Sequence, residues 1–132
     1  MGGSAPGSST PGGGVQPGVP HIVVPHGGLV QLRNASPFEL SSRIDGTGHV
    51  IVRVRWWGGI EPCDILASVV VDRSADTFSL TVRVGSPPGP AVACIDIAQD
   101  TATLVDLGAL PGGTYTVTSS SGDAPPLTIQ VP

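Results

Sequence analysis

The chain contains no lysine and only two cysteines in its 132 residues. Without lysine there is no Schiff-base chemistry and no P-loop. Aromatic residues make up 4% and charged residues 12%, and six arginines against ten acidic groups leave a net charge of −4. That balance argues against nucleic acid as a partner. No apolar run approaches the roughly 18 residues of a membrane-spanning helix. No stretch of ten residues shows helical periodicity free of Gly or Pro. The length suits one domain and rules out two-domain nucleotide enzymes and (β/α)₈ barrels. What is abundant is turn and strand material: 19 Gly and 14 Pro beside 17 Val, 8 Ile and 10 Thr. Gly and Pro punctuate and the β-branched residues extend, so the composition reads as a β domain rich in turns.

Residues 1–20 stand apart. Fifteen of these twenty are Gly, Pro, Ser or Thr and none is charged, so the segment has too little apolar surface to offset its ordering entropy. It reads as a disordered linker preceding a β domain at residues 21–132. Met1-Gly2-Gly3-Ser4 followed by this spacer resembles the start of a mature bacterial lipoprotein with Met in place of the lipidated cysteine. The resemblance implies an exported domain, extracellular or on the cell surface, that meets a membrane only through a lipid anchor. In that compartment Cys63 and Cys94 read as a disulfide. Closing a loop of about 30 residues would contribute roughly 3–4 kcal/mol in the chain-entropy account.

From residue 21 the chain reads as short strands between turns. His21 to Val24 and Gly28 to Arg33 open it, and Asn34 to Gly48, with Pro37 and Asp45-Gly46, reads mostly as loop, with Phe38 and Leu40 closing the core's end. His49 to Trp57 alternates: Val50, Val52, Val54 and Trp56 face the core, and Ile51, Arg53, Arg55 and Trp57 face away. Gly58-Gly59 ends that strand. Asp64 to Asp72 and Thr77 to Val84 form a hairpin across a four-residue loop, Arg73 to Asp76. Phe78, Leu80, Val82 and Val84 point inward, whereas Gly85 to Pro90 is excluded from strand. Ala91 to Ala98, Thr101 to Leu107, Thr114 to Thr118 and Pro126 to Val131 complete the set. Regularly spaced short strands predict an antiparallel two-sheet sandwich of about seven to nine strands.

Leu110-Pro111-Gly112-Gly113-Thr114-Tyr115-Thr116-Val117 resembles the turn-and-strand segment of immunoglobulin-like bacterial surface domains. The resemblance implies that Tyr115 is a structural corner, its ring packed and its hydroxyl bonded to nearby backbone. Residues 50–110, with Trp57-Gly58-Gly59, Cys63, Cys94 and Leu107 to Leu110, are also similar to small secreted or lipid-anchored bacterial proteins. Neither resemblance brings an activity with it.

No catalytic set emerges. No serine lies in a G-x-S-x-G elbow, Glu39 and Glu61 fall in loops, and Asp72 and Asp76 merely bracket a hairpin. His21 and His26, at i and i+5 around a short strand, point to opposite faces, and with His49 they read as solvated loop histidines. The expectation is therefore no catalytic residue, no metal and no cofactor. Trp57 is the residue with most to offer. It shares a face with Arg53 and Arg55, and two readings stand: an exposed contact for a protein or carbohydrate partner, or a ring covered by arginine stems, by Pro62 or by the N-terminal segment. The function expected is a non-enzymatic surface binding module, monomeric, contacting its partner through Trp57, Arg53 and Arg55. Two alternatives accompany it: a protease inhibitor presenting Gly85–Pro90 or Ser119–Pro125, and a metal carrier using the histidines.

Overall fold

The computed structural model describes residues 19–61, 63–90 and 97–132. Their regular structure consists of nine strands: β1 (His21–Ile22), β2 (Val30–Asn34), β3 (Pro37–Ile44), β4 (His49–Gly58), β5 (Ile65–Ser74), β6 (Thr77–Ser86), β7 (Gln99–Ala109), β8 (Gly113–Ser119) and β9 (Leu127–Val131). Residues 1–18 of the expected linker, and residues 91–96 of the expected strand with Cys94, lie outside the described residues.

The strands form two sheets. The first runs β1-β7-β4-β3, and the second sets β5 against one edge of β6 while β2 and β8 share its other edge, with β9 beyond β8. That shared edge is continuous. β8 pairs with residues 77–80 of β6 and β2 with residues 83–86. Between them, Ser120 N donates to Leu80 O and Ala35 N to Val82 O, each at 2.8 Å. The Ser121 hydroxyl donates to Ala35 O at 2.6 Å and fastens the two half-partners together. Leu80 O and Val82 O of β6 thereby find donors in the gap between the two half-partners.

The sandwich character follows from alternation. Val50, Val52 and Val54 of β4 are fully buried and Trp56 nearly so, and they meet Phe78, Leu80, Val82 and Val84 of β6 in one core. Tyr115, Val117 and Ile129 enter from β8 and β9, Leu40 from β3, Leu66 from β5 and Val105 from β7. Removing this much apolar surface from water, at about 25 cal/mol per Å², is what holds the two sheets together. Thr101 and Thr103 of β7 also point inward, and their hydroxyls donate to Gln99 O and Val23 O at 2.9 and 2.8 Å. Burying them therefore leaves no donor unmet.

Several expectations are corrected. Two of the seven strand pairings among the described residues are parallel, β1 with β7 and β6 with β8, so the sheets are mixed. The stretch Asn34–Gly48 holds a full strand: β3 opens at Pro37, where a missing N–H costs nothing on an edge. The β5–β6 loop is shorter than four residues, because Ser74 pairs with Thr77 and only Ala75 and Asp76 turn. Ala75 takes a φ of 54° to make that turn. Gly85 and Ser86 belong to β6, pairing with Ile65 and Val30. The first strand is only His21–Ile22.

Candidate functional site

The outer face of the first sheet carries the residues singled out by sequence. β4 supplies Ile51, Arg53, Arg55 and Trp57 by alternation, β3 supplies Glu39, Ser41 and Arg43 across from them, and β7 supplies Asp100 and Leu104. A register shift between Pro37 and Glu39 sets Phe38 on this same face. Phe38, expected to close the core, instead stacks on Trp57, with ring centroids 5.3 Å apart and planes inclined by 21°. Leu40 does enter the core.

Trp57 is 61% exposed. Of the two readings left open, coverage by arginine stems is not what the packing shows; Pro62 and residues 1–18, the other covers considered, lie outside the described residues. The ring rests on Phe38, and the Arg55 guanidinium lies over Phe38 at 5.2 Å from its centroid. Offset stacking and a cation over an aromatic face are both favourable arrangements.

Arg55 is held from two sides. Its Nε and Nη2 donate to Asp100 Oδ1 and Oδ2 at 3.2 and 2.5 Å, and its Nη1 donates to Glu39 Oε1 at 2.8 Å. The bidentate fork to Asp100 is the stronger geometry, and with the Glu39 bond it raises the guanidinium's pKa further above its ordinary value. Only 13% of the Arg55 side chain and 15% of Asp100 is exposed, so this pair acts as a fixed strut under Phe38. Arg53 is more loosely held: Nη2 lies 3.3 Å from Glu39 Oε1, and Nε is shielded from solvent with no acceptor among the described residues. Trp57, Arg53 and Arg55 are thus on one face. Phe38, Glu39 and Asp100 belong with them and were missed. A strand beginning at Pro37 was the signal for the first two, and the β7 register for the third.

The Trp57-Gly58-Gly59 segment has a packing reason. A Cβ on Gly58 would stand 3.0 Å from Thr101 Oγ1 and 3.1 Å from Trp56 Nε1, and one on Gly59 would stand 2.9 Å from Asp64 Cβ. Gly59 N donates to Asp64 Oδ2, and Asp64 accepts from Arg33 Nη2 at 2.7 Å. The two glycines let the strand end pass close over β7 and the Asp64 turn, and this fixes where Trp57 leaves the sheet.

The remaining sequence candidates lie elsewhere. Tyr115 is buried in the core, tilted against Phe78, and its hydroxyl donates to Pro111 O at 2.6 Å. Arg73 lies over both rings. Cys63 sits in the β4–β5 connection, where its carbonyl accepts from the Ser86 hydroxyl at 3.0 Å. Its expected partner Cys94 is outside the described residues. His49, at the start of β4, bonds through Nδ1 to Asp106 Oδ2 at 2.9 Å. That hydrogen bond raises the imidazole pKa and, reciprocally, lowers that of Asp106, which also accepts from Gly108 N. His21 and His26 line separate hollows near Glu61, at the other end of β4. Among the described residues, no three His, Cys, Asp or Glu side chains gather closely enough to hold a metal ion. The segment Ser119–Pro125 lies back on the sandwich, tied by Ser120 N to Leu80 O, Ser121 Oγ to Ala35 O and Ala124 N to Pro37 O.

Fold and face together define a two-sheet β-sandwich bearing an exposed, braced aromatic surface. In comparison with known proteins, the chain matches no family model, no curated protein and no solved structure.

Proposed function

We propose that the protein is a non-enzymatic binding module that meets a protein partner on the outer face of its first sheet, with Trp57 at the centre of contact. The observation that carries the reading is the Trp57–Phe38 stack: a large ring, 61% exposed, yet ordered from beneath. An anchor already held in place loses little side-chain entropy on binding, so more of its burial energy appears as affinity. Arg55, Asp100 and Glu39 surround it with charges whose geometry is set before any partner arrives, which favours specificity.

In this reading the module is immunoglobulin-like, exported and held at the cell surface by the Gly/Pro/Ser-rich residues 1–20, with Cys63 and Cys94 joined. The all-β two-sheet sandwich is compatible with the immunoglobulin-like part of that picture. Of the two loops a loop-borne inhibitor would present, Ser119–Pro125 is tied to the sandwich by hydrogen bonds, which favours the binding reading.

Trp57→Ala and the wild type, compared against arrays of extracellular proteins and glycans, test the proposal. Binding lost in a variant that still melts cooperatively supports it. Unchanged binding removes Trp57 from the contact, and glycan-only binding replaces the protein partner by a carbohydrate. A mass lower by two hydrogen atoms before reduction tests the disulfide separately.

A further inference from the structure

Beyond Trp57 the same face continues into a shallow groove of about 320 Å³, lined by Ser41, Ser42, Arg43, Ile51, Arg53 and Leu104. Its middle lies about 14 Å from Trp57 along β4, four residues at the usual strand rise. We infer that this groove receives a carboxylate flanked by aliphatic side chains, carried on an extended segment of the partner protein. The inference rests on the binding reading above for the presence of a partner on this face.

The register builds the groove. Ser41, Arg53 and Leu104 lie in one cross-strand row, and Arg43, Ile51 and Asp106 in the next. Ile51 and Leu104 make an apolar floor between two guanidinium groups. Ile51 is already covered, but Leu104 remains 48% exposed.

The two carboxylates that border this floor each have another partner. Asp106 is engaged by His49 at 2.9 Å, and Glu39 is drawn to Arg55 at 2.8 Å, more closely than to Arg53 at 3.3 Å. Arg43 has no ion pair among the described residues, and Arg53 Nε has no acceptor. Arg43 is exposed and the Arg53 side chain is partly so, and a carboxylate matches the guanidinium fork in plane and spacing. Inorganic phosphate would satisfy the cations but leave Leu104 uncovered. An aliphatic residue next to an acidic one serves both. The volume falls at the small end of ligand-sized hollows, so one such pair fits and a bulky ligand does not.

The test uses the full chain, isotope-labelled, titrated with acetyl-Leu-Glu-Leu-amide while the Arg53 Nε–H, Leu104 methyl and Trp57 indole signals are followed. Saturable shifts at Arg53 and Leu104 are expected near millimolar peptide, with binding about tenfold weaker for the Leu-Gln-Leu analogue. Arg43→Gln with Arg53→Gln should abolish the difference between the two peptides, and Leu104→Ser should weaken both. In Trp57→Ala the groove titration should persist, so failure of the aromatic anchor and failure of the groove are read separately. Equal binding of the two peptides, shifts confined to Trp57, or no shift at either arginine would overturn the inference. Phosphate moving the Leu104 methyls as strongly as the peptide would also overturn it.

Discussion

The two faces of β4 share one backbone and differ in almost everything else. Inward, Val50, Val52, Val54 and Trp56 form part of a continuous hydrocarbon layer in which only volume and shape matter. Outward, Arg53, Arg55 and Trp57 are held one by one, through named hydrogen bonds and ring contacts. The adjacent tryptophans make the contrast plain: Trp56 is 2% exposed and Trp57 is 61% exposed. Burial on the inner side supplies stability without recognition, whereas on the outer side Arg55 and Ile51 are covered and Trp57 is left open for contact.

That contrast can be broken by substitution, beginning inside. Trp56→Ala should destabilise the fold by about 3–5 kcal/mol, seen as a large fall in the urea midpoint. A loss below about 1 kcal/mol would mean that the inner layer repacks freely. On the outer face, Arg55→Met keeps an unbranched apolar stem but removes both the fork to Asp100 and the guanidinium over Phe38. It should cost about 1.5–3 kcal/mol, the range for hydrogen bonds to charged groups, and increase acrylamide quenching of Trp57 as its support loosens. Tyr115→Phe, which strips one hydroxyl from the second sheet's inner face, should cost about 1 kcal/mol by calorimetry, because Pro111 O loses its donor. Trp57→Ala should change stability by no more than about 1 kcal/mol, with its consequence in binding instead.

The smallest effect belongs to the exposed His49–Asp106 pair. His49 has its pKa raised, so its contribution is complete below the ordinary imidazole value of 6.5 and fades as pH rises through the folded value. Asp106 has its pKa lowered, so its contribution is present above the ordinary 3.8 and fades as pH falls through the folded value. The melting-temperature difference between wild type and Asp106→Asn should therefore peak in the weakly acidic range. A difference that stays flat from acid to alkaline pH would show that the pair contributes nothing.

Legibility followed periodicity. Phe78, Leu80, Val82 and Val84 are all buried, as their alternation required, and so are Val50, Val52 and Val54. β3 was hidden because, among the described residues, it is an edge strand with one neighbour; it begins at a proline and gives Leu40 to the core cluster, so Glu39, Ser41, Ser42 and Arg43 look like loop. Missing β3 meant missing Phe38 and Glu39, the residues that brace the candidate surface. Asp100 was missed for another reason. It lies 45 positions from Arg55, and only the β4–β7 register brings the two together.

The sequence by itself determined that the chain builds strands, where most of them break, and which side chains of β4 and β6 turn inward. Those properties are local, set by a two-residue repeat and by the restrictions of Gly and Pro. Only the tertiary structure decided that Phe38 lies under Trp57, that Arg55 is gripped by Asp100 and Glu39, and that β2 and β8 share one edge of β6. Those relations join residues distant along the chain, and no local preference encodes them until the buried core fixes the register between strands.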